Sequence, residues 1–258
     1  MGEAKRRRTH GAGTLSDPSV VDDIIRHAFA QTCAALSDAG GDISTAVRTF
    51  YAGRNLGFDA QAAHLSAASV GCRVGCHACC HQMVLCYPYE IFPLAAILQC
   101  RPQAELDAIS ATFRARLNLP MTPEGRYGAN LPCPLLTDSR CSVYTYRPMT
   151  CRALYSASRQ ACDNALANND GDIPFLGDPQ QMATAFNLGI ACALRQKRSL
   201  DIEMVEMGGA LLTALDDLDV AFDLWSLGGA PFSAFQVRPA HMPTQAELTD
   251  ALIARLRL

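Results

Sequence analysis

Eight of the 12 cysteines gather in two knots. The first reads Cys72-Arg-Val-Gly-Cys76-His-Ala-Cys79-Cys80, and the second is built from Cys133, Cys141, Cys151 and Cys162. Thiolate sulfur donates well to soft and borderline metals, zinc and iron among them. The Cys76-x-x-Cys79 spacing lets a tight turn aim two sulfurs at one point. Adjacent side chains diverge, so of Cys79 and Cys80 one serves a first site and the other a second site or the core. A structural zinc takes four thiolates and so does a four-iron cluster. Cys72, Cys76, Cys79, Cys80, Cys133, Cys141, Cys151 and Cys162 therefore fill two sites, or one site with several packing thiols. A metal held across the long gap between the knots would stabilise the fold.

Other readings of these residues compete. A buried free thiol behaves as a small hydrophobe, which is the expectation for the isolated Cys33, Cys86, Cys100 and Cys192. A vicinal disulfide or redox sensor at Cys79-Cys80 is an alternative to ligation. His77 and His81 lie four apart beside the sulfurs; with four thiolates available they are expected around the ligands rather than among them. No His-Glu-x-x-His pattern of a zinc protease is present. Arg147 and Arg152 flank Cys151, where guanidinium donors can satisfy thiolates or backbone carbonyls. No catalytic residue stands out.

Composition narrows the setting. The chain has 258 residues, 49% hydrophobic and 18% charged, which is globular and able to bury a core without disulfide staples. The net charge of −3 creates no field that steers the protein to nucleic acid or membrane. No apolar run is long enough to span a bilayer, and the basic start Lys5-Arg6-Arg7-Arg8 has no apolar segment after it, unlike a secretory signal. A cytoplasmic chain with reduced thiols is the expectation, and there paired cysteines more often hold metal than form disulfides.

The elements that must position the knots are helical. Residues 1–15 are expected to be a disordered basic tail, followed by a single helical domain over 16–258. Ser16-Asp17-Pro18 is a helix start, and Gly40-Gly41 stops the run that follows. Further helices are predicted over 44–54, 59–69, 90–99, 103–117, 179–195, 201–218 and 245–257. Residues 118–132 and 164–171 read as loops, and the second knot as mostly irregular with a brief strand at 141–144. The predicted fold is mainly α, a helical shell around an irregular cysteine-rich metal-binding centre.

At Cys76-His-Ala-Cys79-Cys80, Cys133-Pro-Leu-Leu and Cys141-Ser-Val-Tyr144-Thr-Tyr-Arg147-Pro148-Met-Thr-Cys151-Arg152, with Cys162 downstream, the chain resembles the YkgJ-type cysteine-cluster family of zinc- or iron-chelating proteins. That family opens Cys-x-x-Cys-x-x-Cys-Cys, whereas one extra residue separates Cys72 from Cys76 here. The resemblance implies a bound metal ion, zinc or iron. A similar cluster occurs in flagellin lysine methylases, which look like iron–sulfur proteins using S-adenosylmethionine, so a 4Fe-4S cluster is a second implied cofactor. Three functions follow: a metal-binding protein, an iron–sulfur-dependent protein-modifying enzyme such as a methylase, or a zinc-stabilised interaction module. The sequence names no protein partner or substrate, and its charge argues against nucleic acid.

Overall fold

The computed structural model describes residues 17–62, 70–122, 125, 128–168, 173–238 and 241–258. The expected basic tail at 1–15 and most of the helix expected over 59–69 lie outside these residues. The protein is mainly α.

Helix α1 (Pro18–Asp38) begins where the sequence says it should. Asp17 caps it by accepting from the Ser19 amide at 2.9 Å, with Pro at the first helical position. Beyond its end, Gly40 and Gly41 take positive φ of 59° and 100°. Helix α2 (Ile43–Ala62) runs through the break expected after Arg54. Phe50, Tyr51, Arg54, Asn55 and Phe58 form one buried face across that point, and the burial outweighs the weak helix propensity of Gly53 and Gly57.

Helices α3 (Pro88–Gln99) and α4 (Gln103–Leu117) fall where expected. Short α5 (Met149–Ala153) and α6 (Arg159–Asn168) then replace much of what reads as irregular chain and polar loop. Helix α7 (Gly177–Arg198) is longer than its sequence signal. The single helix expected over 201–218 is instead a strand and two helices, α8 (Met207–Asp216) and α9 (Leu218–Ser226). Asp217 separates them, ending one and capping the other through the Val220 amide at 3.0 Å. Helix α10 (Gln245–Leu256) opens with a reciprocal Thr244–Glu247 capping box.

Two small antiparallel ladders tie distant segments. Strand β1 (Leu85–Cys86) pairs with β4 (Val205–Glu206). Strand β2 (Leu136–Thr137) pairs with β3 (Arg140–Cys141) as a tight hairpin, placing Leu136 opposite Cys141. The strand expected at 141–144 is thus displaced toward the hairpin turn, and residues 144–146 form a 3-10 turn instead.

Helix α7 is the internal mast, with α1 packed along it and α2, α5 and α10 against it. The closest approach is at Gly189, where an added Cβ would lie 2.4 Å from the Ile25 carbonyl oxygen. Only glycine lets α1 and α7 meet there. The main core joins α3, α8 and α9, with Tyr89, Ile91, Leu94, Leu98, Trp225 and Phe232 all essentially inaccessible. Each such side chain contributes about 1.5–3 kcal/mol by leaving water.

Candidate metal centre

Both knots come together. One cavity of about 660 Å³ is walled by Cys72, Cys76, Cys79, Cys80, Cys133, Cys141 and Cys151. Apolar side chains, Val74, Val84, Leu135 and Val143 among them, complete the wall with Arg147. Cys162, buried on α6, stands apart from that wall, close enough to Cys76 and Cys79 for their charges to act on it. All 12 cysteines are free thiols.

Local structure explains the placement. Gly75 takes φ of +81°, and the Cys76 amide donates to the Arg73 carbonyl at 3.0 Å, folding Cys72–Cys76 into a tight turn. Gly71 lies against the backbone of residues 157–159, where a Cβ would meet atoms at 2.7–2.9 Å. That contact sets Cys72 beside Ser156, whose amide donates to Cys72 Sγ at 3.3 Å. Residues Ala78–His81 form a 3-10 turn, packed on α6. The Cys133 amide donates to the Cys80 carbonyl at 2.7 Å, which joins the second knot to the first.

The second knot hangs on a buried polar network. Glu90 is fully buried on α3, and its Oε1 accepts from Arg54 Nη1 at 2.6 Å and from the Met149 amide at 2.8 Å. Arg54 also donates to Asn187 and Asn55, and Tyr89 donates to Asn187 at 3.0 Å. Thr150 Oγ1 donates to the Leu85 carbonyl at 2.6 Å. These bonds fix the start of α5 and so the direction of Cys151. Arg152 satisfies carbonyls rather than sulfur: it donates to the Thr145 and Arg147 carbonyls and bridges Asp59 at 2.9 and 3.0 Å. Arg147 lines the cavity with Arg73 and Arg140 and acts on Cys79, Cys141 and Cys151, its guanidinium carbon 3.5 Å from the centre of the Tyr144 ring.

The surroundings of six of these thiols favour the neutral form. Burial pushes Cys133 up to about 11 and Cys151 higher still, while Arg147 opposes the rise at Cys151. Cys79 is raised by its hydrogen bond with Cys80 and then by burial. Burial also raises Cys72, Cys141 and Cys162. Against burial, backbone amides favour the thiolate at three sulfurs: Ser156 at Cys72, Leu135 at Cys133 and Val143 at Cys141. A bound cation would invert the balance, because a coordinated thiol loses its proton.

Among the described residues, no three His, Cys, Asp or Glu side chains stand close enough to grip an ion as placed. The seven sulfurs line one cavity, and coordination requires them to draw closer together. The donor set fits zinc or iron: soft sulfurs, amides aimed at three of them, and the guanidinium groups of Arg73, Arg140 and Arg147 in the same lining to offset their charge. His77 and His81 do not line this cavity. Their rings lie 5.8 Å apart, with His77 Nδ1 buried and His81 beside Asn130.

The four isolated cysteines divide. Cys86 and Cys192 are fully buried, as expected for packing thiols. Cys33 is half-buried, and Cys100 is exposed at the end of α3, a correction to the expectation that it packs in the core. Sequence reasoning did not single out Ser156, Asp59 or Glu90. A lone carboxylate in the apolar run 88–99 is a signal for Glu90; Ser156 and Asp59 carry none, because their partners lie 84 and 93 residues away.

Residues 71–170 match the sequence model of the family described as CxxCxxCC, putative zinc- or iron-chelating domain. The match covers both knots and their connecting segment, which includes α3 and α4. No curated protein and no solved structure matches the chain. Among the described residues, no helix is long and apolar enough to cross a membrane.

Proposed function

We propose that this protein binds zinc or iron through the thiolates of Cys72, Cys76, Cys79, Cys80, Cys133, Cys141, Cys151 and Cys162. The observation that carries this reading is the single cavity walled by seven of those sulfurs, drawn from segments as far apart as Cys72 and Cys151. Amides directed at Cys72, Cys133 and Cys141 support it, since they stabilise thiolate rather than thiol. On binding, the cation would supply the charge that burial withholds and would clamp α5 and the β2–β3 hairpin onto the Gly71–Cys80 segment.

An iron–sulfur cluster is the second reading, because four thiolates satisfy a four-iron cluster as well as a zinc ion and seven of these sulfurs line one cavity. Elemental analysis of anaerobically isolated full-length protein tests both. Stoichiometric zinc in a colourless protein supports the first form. Iron with acid-labile sulfide and a brown colour supports the second. Protein free of both metals, and unable to take up either, overturns the proposal.

A further inference from the structure

A second cavity, of about 430 Å³, opens between α2, α3 and α9. It shares no lining residue with the sulfur cavity. Helix α3 lines it with Pro93, Ala96, Ile97 and Cys100, which recur at the spacing of one helical face. Pro93 and Ala96 carry short side chains, which leaves room where a larger residue would fill the space. Helix α2 contributes Val47, and α9 contributes Leu218 and Phe222, whose ring meets Phe92 edge-on at 5.0 Å. Tyr146 completes the wall. Tyr144 and Arg147 on either side of it line the sulfur cavity, so the segment 144–147 borders both.

Two charged groups stand on this apolar site, and they differ in what already serves them. Arg48, in α2, donates from Nη1 to Ser44 Oγ at 2.9 Å and from Nη2 to Thr45 Oγ1 at 3.1 Å. Both acceptors are neutral hydroxyls. Asp42 lies within electrostatic reach but accepts from Ser44 and Thr45 instead. Among the described residues no carboxylate forms an ion pair with Arg48. The guanidinium is thus held in place with donors to spare. Asp219 lies in the first turn of α9, where the helix N-terminus stabilises a carboxylate. The site therefore favours an incoming anion at Arg48 over an incoming cation at Asp219.

We propose that this cavity binds a small monocarboxylate with an aromatic or branched apolar body. The carboxylate takes the spare donors of Arg48, a charge-assisted contact that a neutral compound cannot make. The body lies between α3 and the face of α9 that presents Leu218 and Phe222, where it leaves water. Asp219 repels a carboxylate from the α9 side, which turns the charged head toward α2 and disfavours a dicarboxylate. The volume lies within the range of small-molecule pockets, about 300–1,000 Å³, which are apolar with a few placed polar groups. This site stands whether or not the thiols hold a metal, because none of the eight knot cysteines lines it.

Titration calorimetry of the full-length reduced protein with phenylbutyrate, and with the uncharged phenylbutyramide, tests the site. One equivalent of phenylbutyrate should bind, about tenfold more tightly than the amide. Arg48 is exposed, so Arg48→Gln should leave the fold intact. It should bring the affinity for the acid down to that for the amide and leave the amide unchanged. Ala96→Trp should fill the groove and abolish binding of both. Absence of saturable phenylbutyrate binding to the unsubstituted protein overturns the proposal. A preference for the acid that survives Arg48→Gln also overturns it, and places the carboxylate with the arginines of the sulfur cavity instead. So does undiminished binding to Ala96→Trp with unchanged circular dichroism. Should Ala96→Trp not fold, the comparison of acid and amide in Arg48→Gln still decides.

Discussion

Glu90 and Met149 are joined by a 2.8 Å hydrogen bond from backbone amide to buried carboxylate, and the same carboxylate oxygen takes Arg54 at 2.6 Å. One acid on α3 thus anchors α2 and orients the turn of α5 that carries Cys151. Removing its charge leaves Arg54 buried and uncompensated. Glu90→Gln should therefore cost about 3–5 kcal/mol, and the Glu90→Leu, Arg54→Met double substitution less than the Glu90→Leu single. Urea denaturation of the three proteins checks this; a double variant less stable than the single would contradict it.

Arg152 and Asp59 should respond unequally. The Arg152 side chain is 2% exposed and makes several bonds, whereas Asp59 is 54% exposed. Arg152→Ala should cost more than about 2 kcal/mol, since the Thr145 carbonyl loses its donor and the Arg147 carbonyl keeps only the Tyr51 hydroxyl. Asp59→Asn should cost under about 1 kcal/mol. Equal losses in thermal denaturation would mean that the ion pair, rather than the carbonyl bonds, holds the segment.

Substitution of the knot cysteines should separate them from the isolated ones. Cys79→Ser and Cys141→Ser are expected to lower both metal content and melting temperature. Cys33→Ser and Cys100→Ser should change neither by much, since neither lies on the sulfur cavity. Metal analysis of the purified variants is the measurement, and full loading of both knot variants would refute the ligand assignment.

Two glycines give opposite expectations. At Gly71 a methyl group would press on the backbone of residues 157–159, so Gly71→Ala should displace the first knot and lower metal affinity. At Gly53, inside α2, an added methyl group has open space. Gly53→Ala should stabilise the protein by about 0.5–1 kcal/mol. Calorimetric melting with and without added zinc reads both effects.

Cys192 supplies a pH dependence away from the sulfur cavity. Burial pushes its thiol up to about 12 from the ordinary thiol value of 9.0. Between those values the folded state binds the extra proton, so stability is intact below about pH 9 and falls as pH rises toward 12. Cys192→Ala should reduce the alkaline slope by about one proton. Denaturation at several pH values measures that slope, and an unchanged one would show that Cys192 ionises freely in the folded protein.

The ends of α1, α3, α4 and α10 were legible because capping residues, proline and apolar spacing are local signals that neighbouring residues enforce on one another. The run through Gly53 and Gly57 was not, because tertiary burial of Phe50, Arg54 and Phe58 overrides local propensity. Nor was the split of 201–218 into β4, α8 and α9, because the partner of β4 lies at Leu85–Cys86, over a hundred residues earlier.

By itself the sequence determined the chemistry on offer: sulfur in two dense groups, a vicinal pair, and glycines that permit tight turns. Residue type and short-range spacing are enough for that. Only the tertiary structure decided which sulfurs share a wall, that Arg147 faces them while Arg152 turns to carbonyls, and that Glu90 and Ser156 aim α5 and Cys72. Those choices depend on where a side chain can find a partner once water is excluded, and burial of that kind is a property of the packed chain.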